Sequence, residues 1–356
     1  MIESDIEMPK DEVPKKARKP RKVKETAPNP AASLIAALKF VKPAQSKTGT
    51  PEQQHCIISG HWMAATNGVL TIACPVEDDL NACPQSTQLL DALLKCGREL
   101  SITQLTQHAL SVKSGEFKGL IPCCDFSELS ITGPDPQIAA IDDRIKTALG
   151  CVMCLASDGA PSAVLASVLL QSGVAVASSG VSLLEYWHGI DLPPGLLMPK
   201  ASAAAIAKCD KRLSGFGYSQ NSATFYFEDG SFIKTQLFNE RYVNYSIAFK
   251  EVKYKPVPAN FFKAVKAIES FSADGIIYFD EHSVSSHEQE SEASTFKIEG
   301  LPEGMAFNSK LLLQVEHAFK SAVFDKTDNK VYYCANDVRG VTMGVELQIT
   351  DKDVPY

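Results

Sequence analysis

Two octapeptides in this chain are near copies: Leu-Leu-Lys-Cys-Gly-Arg-Glu-Leu at 93–100 and Ile-Ala-Lys-Cys-Asp-Lys-Arg-Leu at 206–213. Each closes a helical pattern and runs into a strand-turn-strand, Ala109 to Phe117 in the first and Ala223 to Phe232 in the second. Gly115 and Gly230 supply the turns, each two residues ahead of a phenylalanine. Solenoid repeats recur every 20–50 residues or so, and this spacing is far longer. The echo therefore marks a duplicated domain, and duplicated domains build rings or extended arrays. A chain of 356 residues has room for about two or three of them.

The same order of patterns can be followed three times. Asn29-Pro30 reads as the cap and first residue of a helix with Leu34, Ile35, Leu38 and Val41 on one face. Strands follow at 55–59 and 62–65, and Asn67-Gly68 turns the chain into a third at 69–76. Ser86 is placed to cap a second helix with Leu89, Leu90, Leu93 and Leu94 inward and Gly97 as its stop, before the 100–120 hairpin. The second pass has a weak helix near 138–149, strands at 164–170 and 174–177, a third ending near Trp187, a helix at 201–208 and a hairpin at 224–238. The third pass puts Phe261, Phe262, Val265 and Ile268 on a helix, with strands at 275–279, 284–287 and 294–298. Asn308 then caps a helix at 309–320, and strands at 331–335 and 341–349 end the chain. The expected domains are 31–125, 126–252 and 253–356, each two helices on antiparallel sheet, an α+β class, behind a tail at 1–30.

The tail is a site of charge asymmetry. It holds eight Lys/Arg, bunched from Lys15 to Lys24, against six acidic residues, so the rest of the chain has 27 basic against 36 acidic of the totals 35 and 42. Such a run reads as a solvated, disordered tail, or as an arm that touches nucleic-acid phosphate. Within the acidic body, lysine and arginine recur off the apolar face of the second helix of each unit: Lys95 and Arg98, then Lys208, Lys211 and Arg212, then Lys310 and Lys320. The first helices add Lys39 and Lys42, and Lys263 and Lys266. Recurrence at matched positions points to a shared basic surface.

Several segments resemble the bacterial-type DNA sliding clamps, the polymerase III beta-subunit family. Val176-Ala-Ser-Ser-Gly-Val-Ser-Leu183 is similar to the family's Ala-Thr-Asp-Gly-His-Arg-Leu, and Asn239-Glu-Arg-Tyr-Val-Asn-Tyr245 to its Asp-Gly-Arg-Phe-Pro-Asp-Tyr. Glu288-Gln-Glu-Ser-Glu-Ala resembles an acidic strand entry, Phe307-Asn308 the pair opening the last helix, and Val341-Thr-Met343 the terminal Val-Val-Met-Pro. The resemblance spans about 31–349 and fits a divergent viral member. It implies three clamp domains per chain, a head-to-tail homodimer and a six-domain ring around duplex DNA, acting in the cytoplasm, a host's if viral. The basic helix positions above would face the DNA. A polymerase and a clamp loader would dock through a peptide pocket between units two and three, lined by Ser178, Gly180, Leu183, Val243, Ala248, Val341 and Met343. The family's His-Arg pair is Val181-Ser182 here and its Pro is Val243.

Other chemistry is not supported. Ten cysteines scattered in apolar contexts fit reduced, packed thiols better than a disulfide framework. Cys151-Val-Met-Cys154 is a lone CxxC, whereas structural zinc takes four ligands, and Cys123-Cys124 are adjacent and strand-like. His55 with His61, and His282 with His287, read as surface residues, and Glu288, Glu290 and Glu292 as a solvated strand edge. No phosphate loop, HExxH or GxSxG occurs, no apolar run reaches the roughly 18 residues of a membrane span, and neither metal nor cofactor is expected. Two other readings stay open: a clamp-fold adaptor that binds proteins through the unit-two/three groove without encircling DNA, and an enzyme using Cys151 and Cys154.

Overall fold

A computed structural model describes residues 29–347 apart from 47, 79, 126, 128–130 and 289–292. The basic run of the tail, Glu290 and Glu292 lie outside the described residues.

One pattern of elements occurs three times. Unit one has helix α1 (Ala32–Val41), strands β1 (Ile57–Ser59), β2 (Trp62–Thr66) and β3 (Leu70–Pro75), helix α2 (Ser86–Leu94) and strands β4 (Ser101–Thr106), β5 (Ala109–Ser114) and β6 (Phe117–Pro122). Unit two is entered by β7 (Gln137–Ala140). It continues as α3 (Arg144–Val152), β8 (Ser167–Gln171), β9 (Val174–Ser178), β10 (Ser182–Trp187), β11 (Leu196–Pro199), α4 (Lys200–Ala207), β12 (Leu213–Tyr218), β13 (Ser222–Phe227) and β14 (Phe232–Gln236). Unit three is entered by β15 (Lys255–Pro256). It runs through α5 (Phe261–Glu269), β16 (Ile276–Phe279), β17 (Ser283–Ser285), β18 (Thr295–Lys297), β19 (Met305–Asn308), α6 (Ser309–Gln314), β20 (Ser321–Asp325), β21 (Lys330–Ala335) and β22 (Val338–Met343).

Local chemistry explains most of these boundaries. Asn67 Oδ1 accepts the N–H groups of Val69 and Leu70, and Gly68 takes φ +87°, so the β2–β3 turn closes as its Asn-Gly sequence dictates. Asn308 caps α6 by accepting from Leu311 N–H. The first helices lie against the first sheet of their units, α1 with Leu34, Leu38 and Val41 buried and α5 with Phe261, Val265 and Ile268 buried. Each such side chain contributes about 1.5–3 kcal/mol. The two helices of every unit pack on one another.

Several expectations need correction. Gln85, not Ser86, caps α2: its Oε1 accepts from Gln88 N–H at 2.6 Å, and Ser86 is buried as the first helical residue. The helix expected to open at Asn29-Pro30 starts later, at Ala32, with Asn29 Oδ1 accepting from Ala31 N–H. The weak helix near 138–149 is instead strand β7 followed by α3, because Gln137–Ala140 finds a ladder partner in β12. The last helix stops at Gln314 and a 3-10 turn, Glu316–Ala318, follows, which leaves Lys320 beyond both. Each closing hairpin is a three-strand meander. His55 is buried, in a bridge to Gln85, rather than a surface residue.

The units are joined by continuous sheet. Strand β3 of unit one pairs antiparallel with β14 of unit two, giving the order β1-β2-β3-β14-β13-β12-β7. Strand β10 of unit two pairs in the same way with β22 of unit three, giving β11-β8-β9-β10-β22-β21-β20-β15. The equivalent strands at the two ends, β6 in unit one and β18 in unit three, are outer strands of their sheets. Gly340 of β22, opposite Leu184 across this seam, makes room for the Tyr333 ring of the neighbouring β21, which a Cβ there would meet at 2.3 Å.

Candidate nucleic-acid interface and partner groove

The lysines recur because of where the helices end. Lys95 and Lys208 are the C-cap residues of α2 and α4, where a cation complements the negative end of the helix dipole. Lys39, Lys42, Lys95, Arg98, Lys208, Arg212, Lys263, Lys266, Lys310 and Lys320 are all exposed. Lys211 is half-buried and serves the packing instead. Its Nζ pairs with Asp229 at 2.8 Å and sits 3.7 Å from the centre of the Phe40 ring, tying unit two to unit one. Lys266 is paired with Glu316 at 2.8 Å, and Lys95 lies 5.8 Å from the Phe117 ring centre. Lys39, Lys208 and Lys211 meet across the first joint, lining a groove of about 820 Å³ between α1 and α4 whose wall is Ala36, Phe40, Ala201 and Ala204. Lys263 and Lys310 are brought to the same helix pair, α5 and α6. Arg144 of α3 is a further exposed cation, paired with Asp142 at 3.0 Å. Sequence reasoning misses it because the expected helix near 138–149 begins too early to show Arg144 in the first turn.

At the second joint, Leu183 of β10 stands directly opposite Val341 of β22. With Leu169, Val176 and Tyr332 they form a separate buried cluster, over which Tyr242, Tyr245, Ala248, Phe249 and Val252 are packed. Ser178 faces Leu183 in the β9–β10 register, and its hydroxyl donates to Ser182 O and accepts from Gly180 N–H. Gly180 takes φ +93° in that turn, a conformation that favours glycine. Met343 N–H donates to Val181 O at 2.9 Å, closing the rim. Leu183, Ala248 and Val341 are thus brought into one cluster, with Ser178 and Gly180 beside it. Val243 and Met343 are exposed, 58% and 48%, along with Val181 at 43% and Ile247 at 81%.

Sequence reasoning also misses the polar clasp of this joint. Glu185, next along the same face of β10, is directly opposite Arg339. Arg339 Nε donates to Glu185 Oε2 at 2.5 Å, Tyr245 donates to Glu185 Oε1 at 3.1 Å, and Gln171 Nε2 donates to Tyr245 Oη at 3.2 Å. Burial and the adjacent Glu185 push the Tyr245 hydroxyl up to about 12. The Arg339 guanidinium stacks 4.2 Å from the Phe249 ring centre and 5.0 Å from that of Trp187. Lys250 adds ion pairs to Asp325 and Asp328. The alternation Leu183, Glu185, Trp187 is the available signal, since a glutamate on an apolar strand face calls for a partner.

Among the described residues, no three His, Cys, Asp or Glu side chains are grouped closely enough to hold a metal. Burial pushes the Cys151 thiol up to about 12, with Cys154 beside it, the reverse of an activated nucleophile. No helix of the described residues is long and apolar enough to cross a membrane.

No family model and no curated protein sequence matches the chain. Its fold is that of the bacterial DNA sliding clamps. It superposes on the DNA polymerase III subunit beta from Pseudomonas aeruginosa with a TM-score of 0.75 at 13% identity, covering 88% of this chain and 98% of that one. The DNA polymerase sliding clamp from Bacillus subtilis gives 0.75 at 14%, covering 88% and 97%. The pol III beta of Caulobacter crescentus gives 0.75 at 16%, covering 89% and 98%. Three copies of one α+β unit in a row, the arrangement of half a six-unit ring, extend over nearly the full length of those proteins.

Proposed function

We propose that the protein is a DNA sliding clamp, a processivity factor that closes as a head-to-tail homodimer around duplex DNA and has no catalytic role. Its units are 31–125, 126–252 and 253–356. The observation that carries this is the repeated joint: β14 seals onto β3 and β22 onto β10, so the equivalent strand β6 is left to seal onto β18 of a second copy. Heterologous contacts of this kind close into a ring when the rotation permits, and closure also covers the two open sheet edges of each chain. Exposed cations on the helices would hold phosphates loosely and without sequence preference, while the net-acidic remainder repels DNA elsewhere.

Ring closure gives a mass test. Cys123 N–H donates to His108 O across the β5–β6 ladder, and alternation along that ladder turns the Leu120 N–H outward. Leu120 is 60% exposed. Leu120→Pro is expected to leave unit one folded and convert dimer to monomer by sedimentation equilibrium. A wild-type chain that is monomeric at micromolar concentration would overturn the reading.

Charge reversal separates a clamp from an adaptor. Lys95→Glu, Lys208→Glu and Lys310→Glu together are expected to abolish retention on nicked circular DNA while leaving the dimer intact. Each phosphate that is no longer neutralised should lower the log–log salt slope by about 0.9. Undiminished function in the triple variant would favour the adaptor. In either case the rim of Val181, Val243, Ile247 and Met343 suits short apolar peptide motifs of a polymerase and a clamp loader.

A further inference from the structure

The short chain segment that enters α2 lies between two neighbours. His55 bridges Gln85 and Ile58 bridges Ala82, both antiparallel, and on the other side Pro84 bridges Cys123. These registers set Ile57, Cys83 and Cys124 in one row across the three segments. Cys56, Pro84 and Cys123 fall in the next row, on the opposite face. Cys124 N–H donates to Cys83 O at 3.0 Å. Residues opposed in this way stand about 5.5 Å apart at Cα, inside the window of about 4.4–6.8 Å that a disulfide spans. The shared register sets the Cys83 and Cys124 side chains next to one another on the same face. Cys56 and Cys123, separated by Pro84, are two strand spacings or about 9.5 Å apart and fall outside that window.

We propose that Cys83 and Cys124 are a redox-active pair that closes to a disulfide when the protein meets a hydroperoxide. Cys124 is half-buried and Cys83 fully buried, so Cys124 meets the oxidant first. Its sulfur attacks one peroxide oxygen, the O–O bond breaks, and the departing hydroxide takes the Cys124 proton to leave as water. The Cys83 sulfur then attacks the Cys124 sulfenic sulfur. An S–S bond forms, the S–O bond breaks, and the leaving hydroxide takes the Cys83 proton as a second water. Two thiols lose two electrons and hydrogen peroxide gains them. Burial holds the Cys83 thiol well above its usual range, so its attack depends on the contact that the register provides. The bond ties the entrance of α2 to the exit of β6 and encloses α2, β4, β5 and β6 in one loop. It stiffens the unit that carries the open strand β6, and it stands whether or not that strand closes a ring.

The test treats the folded full-length chain with hydrogen peroxide, then maps peptides without reduction. The expected result is a linked pair containing Cys83 and Cys124, two fewer free thiols of the ten, and a thermal midpoint raised by about 5 °C that dithiothreitol reverses. Cys83→Ser and Cys124→Ser should each remove the linked peptide, and Cys56→Ser should retain it. Should either serine variant fail to fold, the wild-type map decides alone. Oxidation of Cys124 to sulfinic acid with Cys83 still free, a link between other cysteines, or no oxidation at all would each overturn the proposal.

Discussion

Asp135→Ala is expected to lower the free energy of unfolding by about 3–5 kcal/mol in urea titrations, the range for breaking a buried ion pair by removing one partner. Asp135 lies on the connection from unit one to unit two and is only 5% exposed. Its carboxylate accepts from Ser222 at 2.8 Å and Thr224 at 2.9 Å, and Lys234 Nζ is 3.2 Å away. Its backbone N–H donates to Thr224 Oγ1, and its carbonyl accepts from Tyr226. Lys234 belongs to β14, the strand that seals unit two to unit one, where it faces Thr71 of β3. Without the carboxylate, an ammonium whose side chain is 11% exposed keeps the Gly133 carbonyl at 2.8 Å as its partner. Asp135→Asn keeps the shape and the hydroxyl contacts but leaves that charge uncompensated, so it should cost less than the alanine yet remain clearly destabilising. A loss under about 1 kcal/mol for the alanine would sink the argument.

The same carboxylate predicts the acid side of the stability curve. Burial raises its pKa, but the donors from Ser222, Thr224 and Lys234 outweigh burial and hold it below the ordinary value. A depressed folded pKa means that the native state binds fewer protons than the unfolded one. The contribution is therefore complete above the unfolded carboxylate pKa of about 3.9 and is lost as pH falls through the lower folded value. Wild type should lose stability steeply below about pH 4, and Asp135→Ala more gradually over the same range.

What is legible in the sequence follows from how local each signal is. The three-unit repeat, the apolar stripes of α1 and α5, the Asn67-Gly68 turn and the Asn308 cap are set by residues within a few positions of one another. They fold as their patterns indicate. The joints leave no such signal, because β3 meets β14 and β10 meets β22 across more than 150 residues of chain. Strand β7 looks helical because Gln137–Ala140 has no alternation, and its ladder partner β12 overrides that. Asp135 and Glu185 are likewise partnered across long stretches of chain. Their partners Lys234 and Arg339 come from other strands. The candidate groove is legible in part: Leu183, Ala248 and Val341 do share a cluster, but nothing in their spacing announces the aromatic residues that cover it.

Arg339→Ala should destabilise the second joint by a similar amount, about 3–5 kcal/mol, since it strands the Glu185 carboxylate, whose side chain is 5% exposed, with Tyr245 as its remaining donor. The loss of the stack on Phe249 and Trp187 adds about 0.5–2 kcal/mol. Arg339→Lys retains the charge but not the planar group that lies between those rings while donating to Glu185, so it should recover less than half of the loss. Because Phe249 and Tyr245 hold segment 239–252 over the joint, the alanine variant should also expose that segment to limited proteolysis before global unfolding. Replacing both partners, Glu185→Leu with Arg339→Leu, separates an unpaired charge from a lost attraction. The double variant is expected to regain most of the stability, since apolar pairs of similar volume often equal a buried ion pair. If the two losses simply add, Glu185 is not stranded by the single substitution, and the clasp is two independent contacts rather than one network.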